Sequence, residues 1–84
     1  MTVRIRYFAA AKAALGVGEE TLDAAGSTVG DVLDERATTA QDASGAGAVI
    51  ARCSFILNRQ ATTDRSIVLA DGDELDVLPP FAGG

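Results

Sequence analysis

The sequence DGDELDVLPPFAGG, residues 71–84, combines a turn, a strand and an unusual tail. Residues 71–73 form a strong turn signal, and the alternation that follows predicts a strand that ends at Leu78 with Leu75 and Val77 facing inward. We interpret the rest of the chain as the scaffold that carries this strand and holds out the tail.

The tail begins with two conformationally restricted prolines and ends with two glycines that have no side chain. Pro79 and Pro80 favour polyproline geometry and keep the preceding residue out of a helix, so the chain is expected to leave the fold extended. Gly83 and Gly84 carry no Cβ and can enter a channel too narrow for any side chain. A frayed end or a cloning scar is the alternative interpretation of two terminal glycines.

The N-terminal half predicts two strands and two helices. Thr2–Phe8 alternates apolar and polar residues with a period of two, and Val17–Asp23 contains a short strand that can pair with it. Ala9–Leu15 has high helix propensity and is followed by Gly16, where a left-handed cap is expected. Thr28 has the capping-box pattern of a second helix. The apolar stripe of that helix consists of Val29, Val32 and Leu33.

The C-terminal half predicts further strands after a loop. Residues 38–47 are small and polar without a clear period, which predicts a loop. Arg52–Leu57 predicts a strand followed by turn residues at 58–60. Ile67–Leu69 is a brief apolar run that predicts a short strand. The lone Cys53 is expected to be a small core residue, with a reactive sulfur-handling thiol as the alternative.

These elements together predict an α+β fold, a mixed sheet of four to five strands with a helix packed on one face. The length of 84 residues suits one small domain, which we place at residues 1–78, followed by a flexible tail at residues 79–84.

Composition argues against several classes of function. The chain has 12 acidic and 7 basic residues, a net charge of −5, and no block of Lys or Arg, which argues against a nucleic-acid partner. It has no histidine and one cysteine, so a metal site and self-contained catalysis are not expected. No apolar run is long enough for a membrane span and no signal peptide is recognisable, so a cytoplasmic protein is expected.

Several stretches together resemble the MoaD-type sulfur carriers, the small subunits of molybdopterin synthase within the MoaD/ThiS ubiquitin-like β-grasp family. The resemblance rests on Tyr7-Phe8-Ala9 with the Ala-rich segment closed by Gly16, on Thr28-Val29, and on Leu69-Ala70-Asp71-Gly72-Asp73-Glu74 running into Leu78-Pro79-Pro80-Phe81-Ala82-Gly83-Gly84. It spans nearly the whole chain, and residues 38–51 match least. Pro79-Pro80, Tyr7-Phe8-Ala9 and a length greater than ThiS proteins usually have favour MoaD over ThiS.

The resemblance implies a carrier without catalytic groups of its own. A MoeB-like adenylating enzyme would activate the Gly84 carboxylate with ATP, and a sulfur donor protein would convert it to a thiocarboxylate. A MoaE-like large subunit would receive the tail, with Pro79, Pro80, Phe81, Ala82 and Gly83 as binding residues. No tightly bound cofactor is implied.

Three alternatives to this function stay open at the level of sequence. The first is a sulfur carrier for another pathway, such as thiamine thiazole or cysteine formation. The second is a ubiquitin-like modifier joined to lysines through Gly84. The third is a binding module of another kind, in which the terminal glycines would be incidental. Sequence alone does not identify the partner, because that choice depends on surface complementarity.

Other side chains have two interpretations each. Phe81 either folds back on its own domain or anchors the tail in a partner, and interface aromatics favour the anchor. Lys12, the only lysine, is expected to be a solvated helix residue, with a partner contact or an isopeptide acceptor as the alternative. An acidic edge either consists of solvated turn charges or steers a basic partner. This edge comprises Asp71, Asp73, Glu74 and Asp76.

Overall fold

Five strands and three helices make up residues 1–80, the part of the chain that the structure, a computed structural model, describes. The strands are β1 (Val3–Tyr7), β2 (Glu19–Leu22), β3 (Ser54–Leu57), β4 (Gln60–Thr62) and β5 (Glu74–Leu78). The helices are α1 (Ala9–Leu15), α2 (Val29–Thr38) and α3 (Ala43–Ile50). The predicted α+β class is confirmed.

The strands form one mixed sheet with β5 at its centre. The strand order is β2-β1-β5-β3-β4. β5 runs parallel to β1, with Arg6 opposite Asp76, and antiparallel to β3, with Ser54 opposite Leu78. Both edges of β5 are therefore hydrogen-bonded, and the strand that precedes the tail is held on both sides.

The sheet has one buried face and one open face, as the period of two in β1 and β5 predicts. On the buried face Val3, Ile5, Leu75 and Val77 are fully enclosed. They belong to one hydrophobic cluster that also includes residues of all three helices. The helix residues in this cluster are Ala11, Val29, Val32, Leu33, Ala37, Ala46 and Ile50. The open face carries the intervening residues of the same strands, such as Arg4 and Arg6.

Both predicted helix caps are confirmed. Gly16 ends α1 with φ of 77°, a left-handed conformation, and its N–H donates to the Lys12 carbonyl at 2.9 Å. Thr28 begins α2, and its hydroxyl oxygen accepts from the Asp31 N–H at 3.1 Å. Glycine suits position 16, at the end of α1, because it lacks the Cβ that disfavours positive φ.

A polar triad joins the edge of the sheet to α2. The Tyr7 hydroxyl donates to a Glu20 carboxylate oxygen at 2.6 Å. The Arg36 guanidinium pairs with the same carboxylate, at 3.0 Å from Oε1 and 3.2 Å from Oε2. Tyr7 is only 2% exposed, so its hydroxyl needs this partner, and the triad ties β1, β2 and α2 together.

The predicted loop at residues 38–47 is wrong, because α3 begins at Ala43 within it. The Asp42 carboxylate caps this helix by accepting from the Gly45 N–H at 3.1 Å. Ala46 and Ile50 are buried, and this packing stabilises a helix that the intrinsic propensities of its residues would not stabilise alone. Glycine and serine have low helix propensity, so composition does not favour a helix here. Alanine is only weakly apolar, so the sequence shows no clear apolar stripe of helical period.

The predicted strand at Ile67–Leu69 is also wrong as a member of the sheet. Its only pairing among the described residues is an isolated bridge between Thr28 and Val68, at the entry to α2. The fifth strand is instead β4, which pairs with β3. Asn58 and Arg59 form the connecting turn with φ of 49° and 72°, as a tight two-residue hairpin requires. The strand predicted from Arg52 begins at Ser54.

Replacing Tyr7 with phenylalanine should lower the free energy of unfolding by about 1–2 kcal/mol, as expected for a buried hydrogen bond to a charged group. Glu20 keeps Arg36 as a partner, which limits the loss. Urea denaturation at pH 7 measures this change. Ser54→Ala is the control, because it removes an exposed hydroxyl that donates to the Leu78 carbonyl at 3.4 Å. This control should change stability by less than about 0.5 kcal/mol.

The stability difference between wild type and Tyr7→Phe should depend on pH. Burial and the neighbouring Glu20 carboxylate raise the pKa of Tyr7 above its ordinary value near 10. The neutral phenol therefore stabilises the fold fully below about pH 10, and this contribution is lost as the pH rises further. The stability difference between wild type and Tyr7→Phe should shrink above pH 10. Tyr7 is the only tyrosine, so phenolate absorbance follows it directly, and titration near pH 10 in the native protein would contradict the assignment.

Candidate partner-docking site at the end of the central strand

The chain leaves the sheet from its middle. β5 ends at Leu78, beside the start of β3 and the end of β1. The Phe8 N–H donates to the Val77 carbonyl at 3.2 Å and so continues the β1–β5 pairing by one residue. Pro79 is half-buried and Pro80 is exposed. The first residues of the predicted tail therefore emerge between two flanking strands.

An apolar groove of about 560 Å³ lies where the tail leaves the sheet, and we call it the exit groove. It is lined by Phe8, Ala9, Ala10, Ser54, Phe55, Ile56, Ala61, Leu78, Pro79 and Pro80. None of these ten residues carries a charge. In a chain of net charge −5, such a surface suits an apolar partner.

Phe8 forms one wall of the exit groove and is held by the turn from β1 into α1. It lies in extended conformation directly before the helix. Ala9, the next residue, has φ of 49°, an uncommon value for a residue with a Cβ. The tight turn leaves the Phe8 ring 39% exposed, whereas Tyr7 beside it is buried.

The open face carries a row of ion pairs next to the exit groove. The Arg6 guanidinium donates to both carboxylate oxygens of Asp76, at 2.8 and 2.9 Å. Arg4 pairs with Glu74 and, at 3.4 Å, with Glu19. The hydrogen bond and the charge of Asp76 raise the pKa of Arg6, which stays cationic. The parallel register causes this pattern, because it sets each arginine of β1 opposite an acid of β5.

The acidic edge predicted from the sequence is already engaged within the chain. Asp71 accepts from the Thr2 N–H, and Asp73 accepts from the Asn58 side chain and from the Ala70 N–H, each at 2.8 Å. The other two acids, Glu74 and Asp76, form the ion pairs with arginine. These four residues therefore stabilise the turn and the open face, and they are not simply solvated charges.

The predicted site residues fall in two groups. Pro79 and Pro80 line the exit groove. Phe81, Ala82, Gly83 and Gly84 lie outside the described residues, so the roles predicted for them, and the division between domain 1–78 and tail 79–84, stay predictions. Lys12 is exposed on α1, as expected.

The groove residues Phe8, Ile56 and Ala61 were not predicted as site residues, although Phe8 belongs to a stretch that carries the family resemblance. A signal was present, because Phe8, Ile56 and Leu78 continue the pattern of the open face, where the other outward residues of β1, β3 and β5 are polar. An apolar residue on the outward face of a half-buried strand marks a surface that something else covers.

Cys53 is a buried core residue, as predicted. It is 6% exposed, and its thiol lies 3.3 Å from the Val49 carbonyl oxygen, to which it can donate. Burial raises the pKa of this thiol, which disfavours the reactive thiolate. Within residues 1–80 no three His, Cys, Asp or Glu side chains cluster as metal ligands would. No helix of that part is long and apolar enough to cross a membrane.

Comparison with known proteins yields a family and several relatives. The model of the ThiS family matches residues 5–84. The molybdopterin synthase sulfur carrier subunit of Chlamydomonas reinhardtii is 32% identical over 88 aligned positions that cover 100% of both chains.

The chain also resembles several solved structures, two of them with the following similarity. The small archaeal modifier protein 1 of Methanosarcina acetivorans has a TM-score of 0.73 and 25% identity, covering 99% of this chain and 96% of its own. A complex of subunits 1 and 2 of the molybdopterin-converting factor of Helicobacter pylori has a TM-score of 0.65 and 24% identity, with 100% coverage of both chains. The second likeness concerns the fold alone.

Iodoacetamide should not modify Cys53 in the native protein at neutral pH, because the thiol is buried and its pKa is raised. The same protein unfolded in guanidinium chloride should be labelled completely, which controls for the reagent. Intact-mass spectrometry counts the adducts. Rapid labelling of the native protein would contradict the buried position and restore the alternative of a reactive thiol.

Proposed function

The chain belongs to the ThiS family, and on this basis we propose that it is the sulfur carrier subunit of a molybdopterin synthase. The observation that carries the proposal is the site where the central strand releases the Pro79-Pro80 segment beside an uncharged groove. The full-length relative from Chlamydomonas reinhardtii supports it, since that protein bears the name of such a subunit.

The chemistry resides in the terminal carboxylate of Gly84. A carboxylate is a poor electrophile, so a MoeB-like adenylating enzyme first joins it to AMP from ATP, with loss of pyrophosphate. A sulfur donor then delivers sulfur at the oxidation level of sulfide. This sulfur attacks the acyl carbon, the bond to AMP breaks, and a thiocarboxylate results. The large subunit uses this sulfur for the molybdopterin precursor, and the carboxylate is restored.

The chain itself supplies position and reach. Phe81–Gly84, extended, span roughly 13 Å, enough to enter a buried site while the domain stays outside. Pro79 and Pro80 restrict the direction of the exit, because their φ is fixed near −65°. The glycines allow passage through a narrow channel, since they lack a Cβ.

The exit groove is the proposed docking surface for the MoaE-like large subunit. Its lining is apolar and uncharged, and the nearest ion pair, Arg6 with Asp76, is satisfied within the chain. A partner that inserts apolar side chains gains burial there without leaving a charge unpaired. Phe8, an exposed aromatic in the wall of this groove, has the character of an interface hot spot.

Phe8→Ala should weaken binding of the large subunit from the same organism at least tenfold, about 1.4 kcal/mol, because an interface aromatic is removed. Isothermal titration calorimetry measures this affinity. Val68→Ala is the control, since Val68 is 60% exposed and lies outside the exit groove. It should leave the affinity within about twofold. Equal affinity of wild type and Phe8→Ala would place the docking surface elsewhere.

Incubation with the adenylating enzyme, ATP and a sulfur source should raise the intact mass by one oxygen-to-sulfur exchange. Tandem mass spectrometry should place the exchange on Gly84. The matched variant lacks Gly84. It should lose sulfur transfer in the presence of the large subunit, because its terminal carboxylate no longer reaches the partner's site. An unchanged mass of the intact chain, or full activity of the deletion, would sink the proposal.

A ubiquitin-like modifier is the second candidate, and the structural likeness to the archaeal modifier protein favours its consideration. Both functions require activation of Gly84, but they differ in the acceptor. Isopeptide-linked conjugates in cells would support the modifier, whereas a free thiocarboxylate and capture of a MoaE-like protein support the carrier. A thiocarboxylate without that capture would indicate another sulfur pathway.

A further inference from the structure

We propose that Arg6 is a positioning residue of the exit groove, clamped by Asp76 so that its guanidinium holds the Phe8 ring in the orientation that a docking partner contacts. This inference rests on the proposed docking of a large subunit, but the orientation of the ring is measurable without any partner.

The clamp on Arg6 is rigid because its acceptor is fixed. Asp76 lies in the middle of β5, which is paired on both sides, and its side chain is only 15% exposed. Two parallel hydrogen bonds of 2.8 and 2.9 Å fix the plane of the guanidinium as well as its position. Arg6 is therefore held in one conformation although it lies on the open face.

The clamped guanidinium lies against Phe8. Its central carbon is 5.8 Å from the centroid of the ring, within the range of a cation–π interaction. Residues 6 and 8 lie on the same side of the extended chain, so the arginine side chain reaches the ring that follows two positions later. At an exposed site this interaction favours one ring orientation by about two- to fivefold.

Phe8 needs such a restraint because it borders two hollows. One is the exit groove, and the other has a volume of about 540 Å³. That hollow is also lined by Arg6, Lys12, Gly18 and Glu19. A ring that moved into the second hollow would no longer form the wall of the exit groove, and the partner would lose a preformed surface.

The structure offers a matched control in Arg4. It lies on the same strand and the same face, and it pairs with two acids, Glu74 and Glu19. Among residues 1–80, cation–π contacts are made by Arg6 with Phe8 and by Arg65 with Phe55, and none by Arg4. Replacing Arg4 removes arginine–carboxylate ion pairs from the open face while leaving the Phe8 contact intact.

The decisive experiment is a double-mutant cycle with the large subunit from the same organism. Arg6→Met should weaken its binding about two- to fivefold when Phe8 is present, and should have no effect in the Phe8→Ala background. Arg4→Met should change the affinity by less than about twofold. Equal losses from Arg6→Met in both backgrounds would overturn the proposal, because they would show that Arg6 acts without Phe8.

A second measurement needs no partner. NMR couplings and NOEs of Phe8 should show one dominant χ1 rotamer in the wild type and in Arg4→Met, but averaging in Arg6→Met and in Arg6→Lys. Lysine keeps the charge but lacks the planar fork that the Asp76 clamp requires. An unchanged rotamer in Arg6→Met would overturn the role of Arg6. If the wild type does not bind the large subunit, the proposed function fails, while the rotamer still decides the role of Arg6.

Discussion

The parallel pairing of β1 with β5 is the constraint on which the rest of the structure depends. It joins residues 3–7 to residues 74–78, the two ends of the domain, in the middle of the sheet. Because side chains alternate along both strands, this register decides which residues are buried together and which share the open face. A shift by one residue would bury Arg6 and expose Ile5. The point at which Pro79 leaves the sheet follows from the same pairing.

The two faces of the sheet serve different purposes. The buried face, with Val3, Ile5, Leu75 and Val77, packs with the helices and holds the central strand rigid. The open face combines satisfied ion pairs with the apolar exit groove. In the proposed function as a sulfur carrier, the rigid strand would fix where the Pro79-Pro80 segment leaves the sheet, and the uncharged groove would dock the partner. None of the residues that line the exit groove is acidic.

The sequence predicts the parts of this structure that depend on local chemistry. The period of two in β1 and β5, the left-handed cap at Gly16 and the hydroxyl cap at Thr28 were all visible, because each depends on neighbouring residues. The sequence misses α3, since Ala, Gly and Ser give no clear stripe until Ala46 and Ile50 are buried. It also misplaces a strand at Ile67–Leu69, where the apolar run packs at the entry to α2 instead.

The sequence by itself determined the strand that precedes the tail, the stiff Pro79-Pro80 exit and the family of the chain, because these are written in contiguous residues. Only the tertiary structure decided that β5 lies at the centre of the sheet. The tertiary structure alone brings Phe8, Ile56 and Leu78 together in one groove. It also pairs Arg6 with Asp76. The reason is physical: these residues are separated by 22 to 70 positions and meet only through strand pairing, whose register depends on the packing of the whole core.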